Sequence, residues 1–152
     1  VDGRPLEPLA DAGLFGAVLT DTHLFRRLYG YRDTPDAQVA AHLERVDLAH
    51  RVGVSNGTFS TTDLSTGQAK RLLLAVALVE DRPVLVLDEW AADQDPEFRT
   101  WFYREFLPAE RSRGRTVIAA THDERYFDVA DMVVRIMDGA VASVRTRADA
   151  AP

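Results

Sequence analysis

The sequence predicts an α/β fold in which helices flank a parallel sheet. Two short runs of β-prone residues, at 84–87 and 116–121, are apolar without alternation, which is typical of strands covered on both faces. Segments with helical periodicity, at 65–80 and 97–110, precede and separate these runs. Strands that alternate with helices in this way form parallel sheets.

Composition narrows the class of protein. The 152 residues suit about one domain, and 46% hydrophobic with 28% charged residues is typical of a globular core. The sequence has no cysteine, which excludes disulfides and cysteine-based zinc sites. The 24 acidic and 18 basic residues give a net charge of -6, which disfavours a nucleic-acid binder. No apolar run in the sequence reaches the roughly 18 residues that a bilayer span requires.

The N-terminal part predicts one strand, a helical region and a polar loop. The apolar run 14–19 predicts a strand that ends in a polar loop. Residues 24 to about 52 are expected to be mostly helical, with a helix start at 34–37, where a proline suits the first turn. Residues 54–63, which contain Asn56-Gly57, predict a polar loop.

The next segment predicts a buried helix with a defined start and end. Ser65 and Gln68 have the spacing of a capping box, and the residues that follow are apolar on nearly every side. The sequence Asp81-Arg82-Pro83 ends this helix. After residue 121 we expect a short helix, a third strand at 132–137, and a frayed end from about Arg145.

Chemically capable residues follow both buried strands. Asp88-Glu89 ends the first strand and His122-Asp123 the second, and ligands of open α/β sheets bind at the carboxyl ends of strands. Asp88 is a candidate ligand of Mg²⁺, and Glu89 is placed to orient or deprotonate an attacking water. The alternative is that an acidic pair merely ends a strand, and the pair alone does not decide between the two.

A second candidate site lies at the start of the buried helix. The N-terminus of a helix attracts anions through its N–H groups and its dipole, and Gly67 would let a phosphate approach the backbone. The alternative is a simple capped helix.

The order and spacing of these motifs resemble the nucleotide-binding domain of ATP-binding-cassette (ABC) transporters. The resemblance covers the chain to about residue 142. It implies ATP and Mg²⁺ as ligands, with Asp88 at the metal, Glu89 as the catalytic glutamate and His122 as the switch histidine. The binding residues that it implies are the signature motif (Leu64, Ser65, Thr66, Gly67 and Gln68), the D-loop Asp95, and Thr20 and Asp21 of the Q-loop.

The sequence departs from the family pattern at two positions. Thr66 replaces a second glycine and narrows the approach to the backbone, and Thr20 replaces the Q-loop glutamine, which puts that metal and water contact in doubt. Both departures, with the sequence of residues 88–99, resemble bacterial exporters of cyclic peptides and siderophore precursors.

The phosphate-binding loop of the family is missing from these residues. No G-x-x-x-x-G-K-S/T occurs in the sequence. We therefore expect a C-terminal part of a nucleotide-binding domain: an incomplete P-loop NTPase-like sheet without its central Walker A strand. That strand would lie between the strands near His122 and Val133, and its absence would make the chain self-associate or repack.

The expected organisation has four parts: a Q-loop region (1–23), a helical subdomain (24–63), the ATPase core with the signature helix, Walker B, D-loop and H-loop (64–145), and a frayed tail (146–152). The expected partners are a second nucleotide-binding domain, packed head to tail, and a transmembrane domain that is expected to lie in the same chain. The expected location is the cytoplasmic face of the bacterial inner membrane, and nucleic acid is not among the expected partners.

The implied function is that of a translocating ATPase that exports a peptide or siderophore-like substrate, while these residues alone are inactive. Two other classes stay open at this point. One is a soluble ABC-type ATPase that acts on DNA or ribosomes, and the other is a non-catalytic interaction module that completes the site of another subunit.

Overall fold

The computed structural model describes residues 12–20, 23–31 and 33–147. Its strands are β1 (Phe15–Val18), β2 (Val54–Ser55), β3 (Thr58–Phe59), β4 (Val84–Asp88), β5 (Thr116–Ala120), β6 (Met132–Met137) and β7 (Ala140–Thr146). Its helices are α1 (Asp36–Arg45), α2 (Thr66–Glu80), α3 (Pro96–Trp101) and α4 (Leu107–Ser112), with a π-helix at Phe102–Phe106. Short 3₁₀ helices lie at Ala12–Leu14, Trp90–Asp93 and Glu124–Val129.

The central sheet confirms the predicted α/β class. It has three parallel strands in the order β1-β4-β5. In register, Val84 pairs with Phe15 on one side and Thr116 on the other. Leu85 and Leu87 of β4 are fully buried. The carboxyl ends of all three strands lie at the same edge of the sheet, which positions the candidate site.

The prediction that residues 116–121 are covered on both faces is wrong. In β5 the side chain of Ile118 is 53% exposed, and Thr116, Ala119 and Ala120 are also exposed. The reason is that β5 lies at the edge of the three-stranded sheet. Among the described residues no strand covers its outer side, where the resemblance places the Walker A strand. The apolar composition of β5 therefore suits a central strand.

The C-terminal strands form a hairpin apart from the central sheet. β6 pairs antiparallel with β7 through a turn at Asp138-Gly139, where both residues have positive φ, as two-residue hairpins require. β7 was not predicted, and Thr146, expected in the frayed tail, ends this strand because the hairpin supplies its hydrogen bonds. Residues 148–152 of that tail lie outside the described residues. The hairpin has these exposed apolar side chains: Met132, Val134, Ile136, Met137, Val141 and Val144.

Residues 24–63 are less helical than predicted. The described part of this segment contains one α-helix, α1, and the hairpin of β2 and β3 around Asn56-Gly57. The backbone before α1 is not helical because it pairs with this hairpin: the Leu28 N–H donates to the Gly57 carbonyl at 2.9 Å, and the Phe59 N–H donates to the Arg26 carbonyl at 2.9 Å. Long-range pairing therefore replaced the local helical preference.

The buried helix α2 begins and ends as predicted. Ser65 and Gln68 form the capping box, and Asp81 closes the helix in the left-handed conformation. The side chains that α2 buries are Leu72, Leu74, Ala75, Ala77, Leu78 and Val79, together with one charged residue, Lys70. These apolar groups supply much of the core between the sheet and α1.

The helix predicted at 97–110 is interrupted by a π-helical segment. α3 passes into the π-helix Phe102–Phe106 and then into α4, whose second residue is Pro108. Proline has no N–H to donate and crowds the preceding turn, which a π-segment relieves. The segment directs aromatic rings toward Trp90, whose ring centroid lies 4.5 Å from that of Phe102.

We expect the 152-residue chain to associate in solution. The free edge of β5 and the apolar faces of the β6–β7 hairpin can pair with another copy. Light scattering should give a mass above that of the monomer, increasing with concentration. Ile118→Lys, which puts a charge on the exposed edge, should reduce the association. A compact monomer at every concentration would contradict this prediction. The alternative expectation was that the chain repacks to cover the free edge of β5, and within the described residues no strand does so.

Candidate functional site

The ends of β4 and β5 bring the predicted acid and histidine together. His122 Nε2 lies 3.2 Å from Glu89 Oε1. The Glu89 N–H donates to the Ala120 carbonyl at 3.0 Å, which ties the two strand ends together. The His122 side chain is 96% exposed and that of Glu89 is 31% exposed, so a ligand can reach both from solvent.

Glu89 has an unusual backbone conformation. Its φ of 45° lies in the left-handed region, which non-glycine residues adopt rarely and at a cost of about 1–3 kcal/mol. The conformation turns the chain from β4 into the 3₁₀ helix Trp90–Asp93. Such strain persists where the surroundings fix the backbone, and it accompanies functional sites.

Asp88 has a partner on the neighbouring strand. The Thr20 hydroxyl donates to Asp88 Oδ2 at 3.0 Å and lies 3.5 Å from the Asp88 carbonyl oxygen. Thr20 follows β1 and stands at the position expected for the Q-loop glutamine. In this chain the short side chain at that position binds the Asp88 carboxylate. Asp21, the other expected Q-loop residue, lies outside the described residues.

The side chains of Ser65 and Gln68 in the signature segment each accept a hydrogen bond from the backbone N–H of the other residue. Ser65 Oγ accepts the Gln68 N–H at 3.3 Å, and Gln68 Oε1 accepts the Ser65 N–H at 3.1 Å. Leu64 is partly buried and packs against the core, whereas Thr66 is exposed. The geometry is that of a capped helix whose first N–H groups belong to Thr66 and Gly67.

Gly67 has a packing role that the sequence did not reveal. A Cβ at this position would lie 2.6 Å from the carbonyl oxygen of Asp93 and 3.6 Å from Gln94 Oε1. Gln94 Nε2 also donates to the Gly67 carbonyl at 3.1 Å. The glycine therefore allows α2 to contact the segment after β4, and this contact explains it without a phosphate.

We expect Gly67→Ala to destabilise this contact. The added methyl group must displace the Asp93 backbone, and such overpacking costs about 1–3 kcal/mol of unfolding free energy. Urea denaturation followed by tryptophan fluorescence measures the loss. Gly53→Ala is a matched control, because the nearest atom to its Cβ, Ser60 Oγ, lies 3.9 Å away. Equal stability of the two variants would contradict the packing role.

A groove of about 390 Å³ borders the signature segment. Its lining residues are Asp47, His50, Ser65, Gly67, Gln68, Arg71, Asp93, Gln94 and Asp95. Asp88, Glu89 and His122 do not line it. One chain therefore presents two separate clusters of the predicted site residues.

Asp95 lies at the second cluster and is held by α2 and α3. Its carboxylate accepts the Phe98 N–H at 2.9 Å as the N-cap of α3, and Arg71 pairs with it at 2.6 Å. The Phe98 N–H, and then the Arg71 guanidinium, lower the pKa of Asp95 from its ordinary value. Arg71 also stacks on the Phe98 ring at 3.5 Å.

Tyr103 positions the residues on either side of His122, and the sequence reasoning missed it. Its hydroxyl lies 2.7 Å from Thr121 Oγ1 and donates to Asp123 Oδ2 at 3.2 Å. Burial raises the pKa of Tyr103 to about 12, so the hydroxyl remains a donor at physiological pH. Its place in an aromatic run gave no signal of this role.

Arg99 was also missed. Its guanidinium donates to the carbonyl oxygens of Ala91, Ala92 and Gln94 at 2.9 to 3.1 Å and lies 3.8 Å from Asp123 Oδ1. It therefore connects the 3₁₀ helix after Glu89 with the segment after His122.

The donor set at Asp88 fits Mg²⁺ only as a partial site. Mg²⁺ is commonly held by one or two carboxylates, waters and substrate phosphates rather than by a protein cage. Within the described part of the chain, no group of three or more His, Asp or Glu residues forms such a cage. Asp88 is therefore suited to be one protein ligand, direct or through water, beside a phosphate ligand.

Comparison of the sequence with known protein families agrees with this fold. Residues 6–92 match the family described as "ABC transporter", which is more than half of the sequence. The chain therefore belongs to the ABC transporter family, as the motifs indicated. No helix among the residues described above has the length and apolar character needed to cross a membrane.

The similar proteins include ATP-binding proteins, one of which is named an export protein. The "ATP-binding protein SyrD" of Pseudomonas syringae pv. syringae is 46% identical over 134 residues, which cover 86% of this chain and 24% of that protein. The "Macrolide export ATP-binding/permease protein MacB 1/2" of Paracoccus denitrificans is 40% identical over 174 residues, which cover 99% of this chain and 25% of that protein. The chain thus spans about a quarter of the length of these relatives.

A solved structure has the same fold. It is described as a bacterial Atm1-family ABC exporter with ATP bound, and it superposes with a TM-score of 0.70 at 24% identity. The match covers 91% of this chain and 26% of that chain. The predicted class, a parallel sheet flanked by helices in an incomplete P-loop NTPase-like arrangement, is confirmed.

Proposed function

We propose that the chain is part of the ATP-hydrolysing domain of a bacterial exporter, with Glu89 and His122 acting at the terminal phosphate of ATP. The 3.2 Å contact between Glu89 Oε1 and His122 Nε2, at the ends of adjacent parallel strands, carries this proposal. In such a pair the carboxylate orients and polarises the attacking water, while the imidazole holds the carboxylate and contacts the γ-phosphate. The exposure of His122 leaves room for the phosphate.

Asp88 serves the same reaction from the neighbouring position. When bound, Mg²⁺ neutralises charge that develops on the phosphate oxygens. The Thr20 hydroxyl, bound to Asp88 Oδ2, fixes the orientation of the carboxylate that would hold Mg²⁺. Thr20 thus acts through Asp88, and Asp88 is the one residue of this chain that we propose as a ligand of the metal.

The signature segment would serve a second nucleotide. Ser65, Gly67, Gln68 and Asp95 line a groove that does not include Glu89 or His122. We propose that two such domains pack head to tail, so that the N-terminus of α2 in one faces the phosphates bound by the other. The N–H groups of Thr66 and Gly67 supply the anion contact. The phosphate-binding loop comes from polypeptide outside these 152 residues.

The partner in the membrane is proposed from the relatives and from one exposed surface. MacB is named an ATP-binding/permease protein, and we propose a permease partner at the cytoplasmic face of the bacterial inner membrane. The rings of Phe25 and Tyr29, at 60% and 63% exposure, pack edge to face and offer an apolar contact. The subfamily resemblance favours a peptide or siderophore-like cargo.

The test compares this chain with a longer polypeptide that includes the sequence before Val1. Proteoliposomes of the longer protein should hydrolyse ATP and transport cargo, whereas residues 1–152 alone should neither hydrolyse ATP nor bind it tightly. Stimulation of hydrolysis by DNA or ribosomes would favour the soluble class instead. Tight ATP binding by the chain alone would contradict the division of the site.

A further inference from the structure

The chain has one lysine, and it is buried. Lys70 is the only lysine among the 18 basic residues of the sequence. Its side chain is 6% exposed, in the second turn of α2. Lysine is almost never buried unless its charge is paired, because desolvating an ammonium group is costly. Its partners therefore indicate what this residue does.

The Lys70 ammonium group binds the segment that follows β4. Nζ donates to the Glu89 carbonyl oxygen at 2.6 Å and pairs with Asp93 Oδ2 at 2.7 Å. The Trp90 indole N–H donates back to the Lys70 carbonyl at 2.8 Å. Side chain and main chain of Lys70 thus contact the start, the middle and the end of the turn that carries Glu89.

The main chain of Glu89 is held by hydrogen bonds on both sides of its Cα, and Lys70 supplies one of them. On the first side its N–H is bound to Ala120 of β5. On the second side its carbonyl accepts from Lys70 Nζ at 2.6 Å and from the Ala92 N–H at 3.3 Å, so both peptide groups that flank the Glu89 Cα are held. Of these bonds, the one from Lys70 is the shortest and the only one that comes from α2. The left-handed φ of 45° is retained by these bonds, and it sets the direction of the Cα–Cβ bond.

We infer that Lys70 is a positioning residue: its ammonium group, from the signature helix, holds the Glu89 backbone in the conformation that directs the carboxylate to His122. This inference rests on the proposed function only where it concerns ATP turnover. It couples α2 to the Glu89 turn, so a displacement of the signature segment reaches the Glu89 carbonyl directly through the Lys70 side chain.

The chemistry of the site requires lysine and not arginine. An ammonium group is a compact charge whose three donors can bind two oxygens from one point, whereas a guanidinium group is a wide planar fork. Arginine supplies every other basic position, including the neighbouring Arg71, which binds Gln94 and Asp95 instead. Lys70→Arg should therefore keep the charge without restoring the geometry.

The first experiment measures hydrogen exchange in the 152-residue chain. In Lys70→Met the amides of residues 88–94 should exchange at least about tenfold faster, while those of α1 stay unchanged. Lys70→Arg should give the same local increase. Arg51→Met, which removes an exposed charge, is the matched control. Unchanged exchange at 88–94, or an equal increase in α1, would overturn the inference.

Asp93→Asn separates the two bonds of the ammonium group. It removes the ion pair but leaves the bond to the Glu89 carbonyl, so exchange at Glu89 should stay near the wild-type value. If Asp93→Asn matches Lys70→Met at Glu89, the ion pair alone accounts for Lys70 and the positioning role is wrong. If Lys70→Met folds poorly, Lys70→Arg, which keeps the charge, takes its place in this comparison.

The second experiment uses the longer, ATP-hydrolysing polypeptide. In Lys70→Met, kcat should fall by at least about tenfold with KM for ATP within about twofold, because the nucleotide contacts stay and the orientation of Glu89 is lost. A kcat within about twofold of wild type would overturn the inference. If the wild type hydrolyses no ATP, the proposed function fails, whereas the exchange data still decide the role of Lys70.

Discussion

Glu89→Gln in the longer polypeptide should abolish ATP turnover while ATP binding is retained. Glutamine keeps the size of the side chain and a hydrogen bond to His122, but it cannot accept a proton or carry the charge that polarises water. Loss of a general base lowers rates by about two to four orders of magnitude. Steady-state phosphate release gives the rate, and binding of a fluorescent ATP analogue gives the affinity.

Glu105→Gln is the matched control, because Glu105 is an exposed glutamate in the π-helix. Its turnover should equal that of the wild type. Near-normal hydrolysis by Glu89→Gln would refute the assignment of Glu89. His122→Ala should also reduce turnover, because it removes the imidazole whose Nε2 lies 3.2 Å from the Glu89 carboxylate.

Glu110→Ala should be the most destabilising single substitution that we consider. Glu110 is 1% exposed and accepts three guanidinium groups: Arg45 at 2.6 Å, Arg115 at 2.7 Å and Arg113 at 2.8 Å. These groups connect α1, α4 and the start of β5. Removing the carboxylate leaves three cations facing one another, and breaking a buried pair costs about 3–5 kcal/mol of unfolding free energy.

The positive charge around Glu110 also affects the pKa of the neighbouring His42. Burial, then Arg45 and Arg115, lower the pKa of His42 below its ordinary value.

Urea denaturation at low protein concentration measures the stability of Glu110→Ala. Glu124→Ala is the control, since its pair with Arg135 lies on the surface with Glu124 at 70% exposure. Similar midpoints for the two variants would show that the Glu110 cluster does not hold the helices together.

The sequence by itself determined β4, the bounds of α2 and the edge of the sheet where the candidate site lies. Four apolar residues before Asp88 define β4, and the Ser65–Gln68 spacing defines the start of α2. Because the ends of parallel strands share one edge, the sequence also predicted that Glu89 and His122 are close. These features depend on periodicity, caps and turn residues, which are encoded within a few neighbouring positions.

Only the tertiary structure decided which charged groups are buried and what they bind. Lys70 and Glu89 are 19 residues apart, and Thr20 and Asp88 are 68 apart, so no local pattern connects them. The same holds for the Gly67 contact with Asp93 and for the exposure of β5, which depends on its neighbour in the sheet. Periodicity predicts that a strand is apolar, but the presence of a covering strand is a property of the assembled fold.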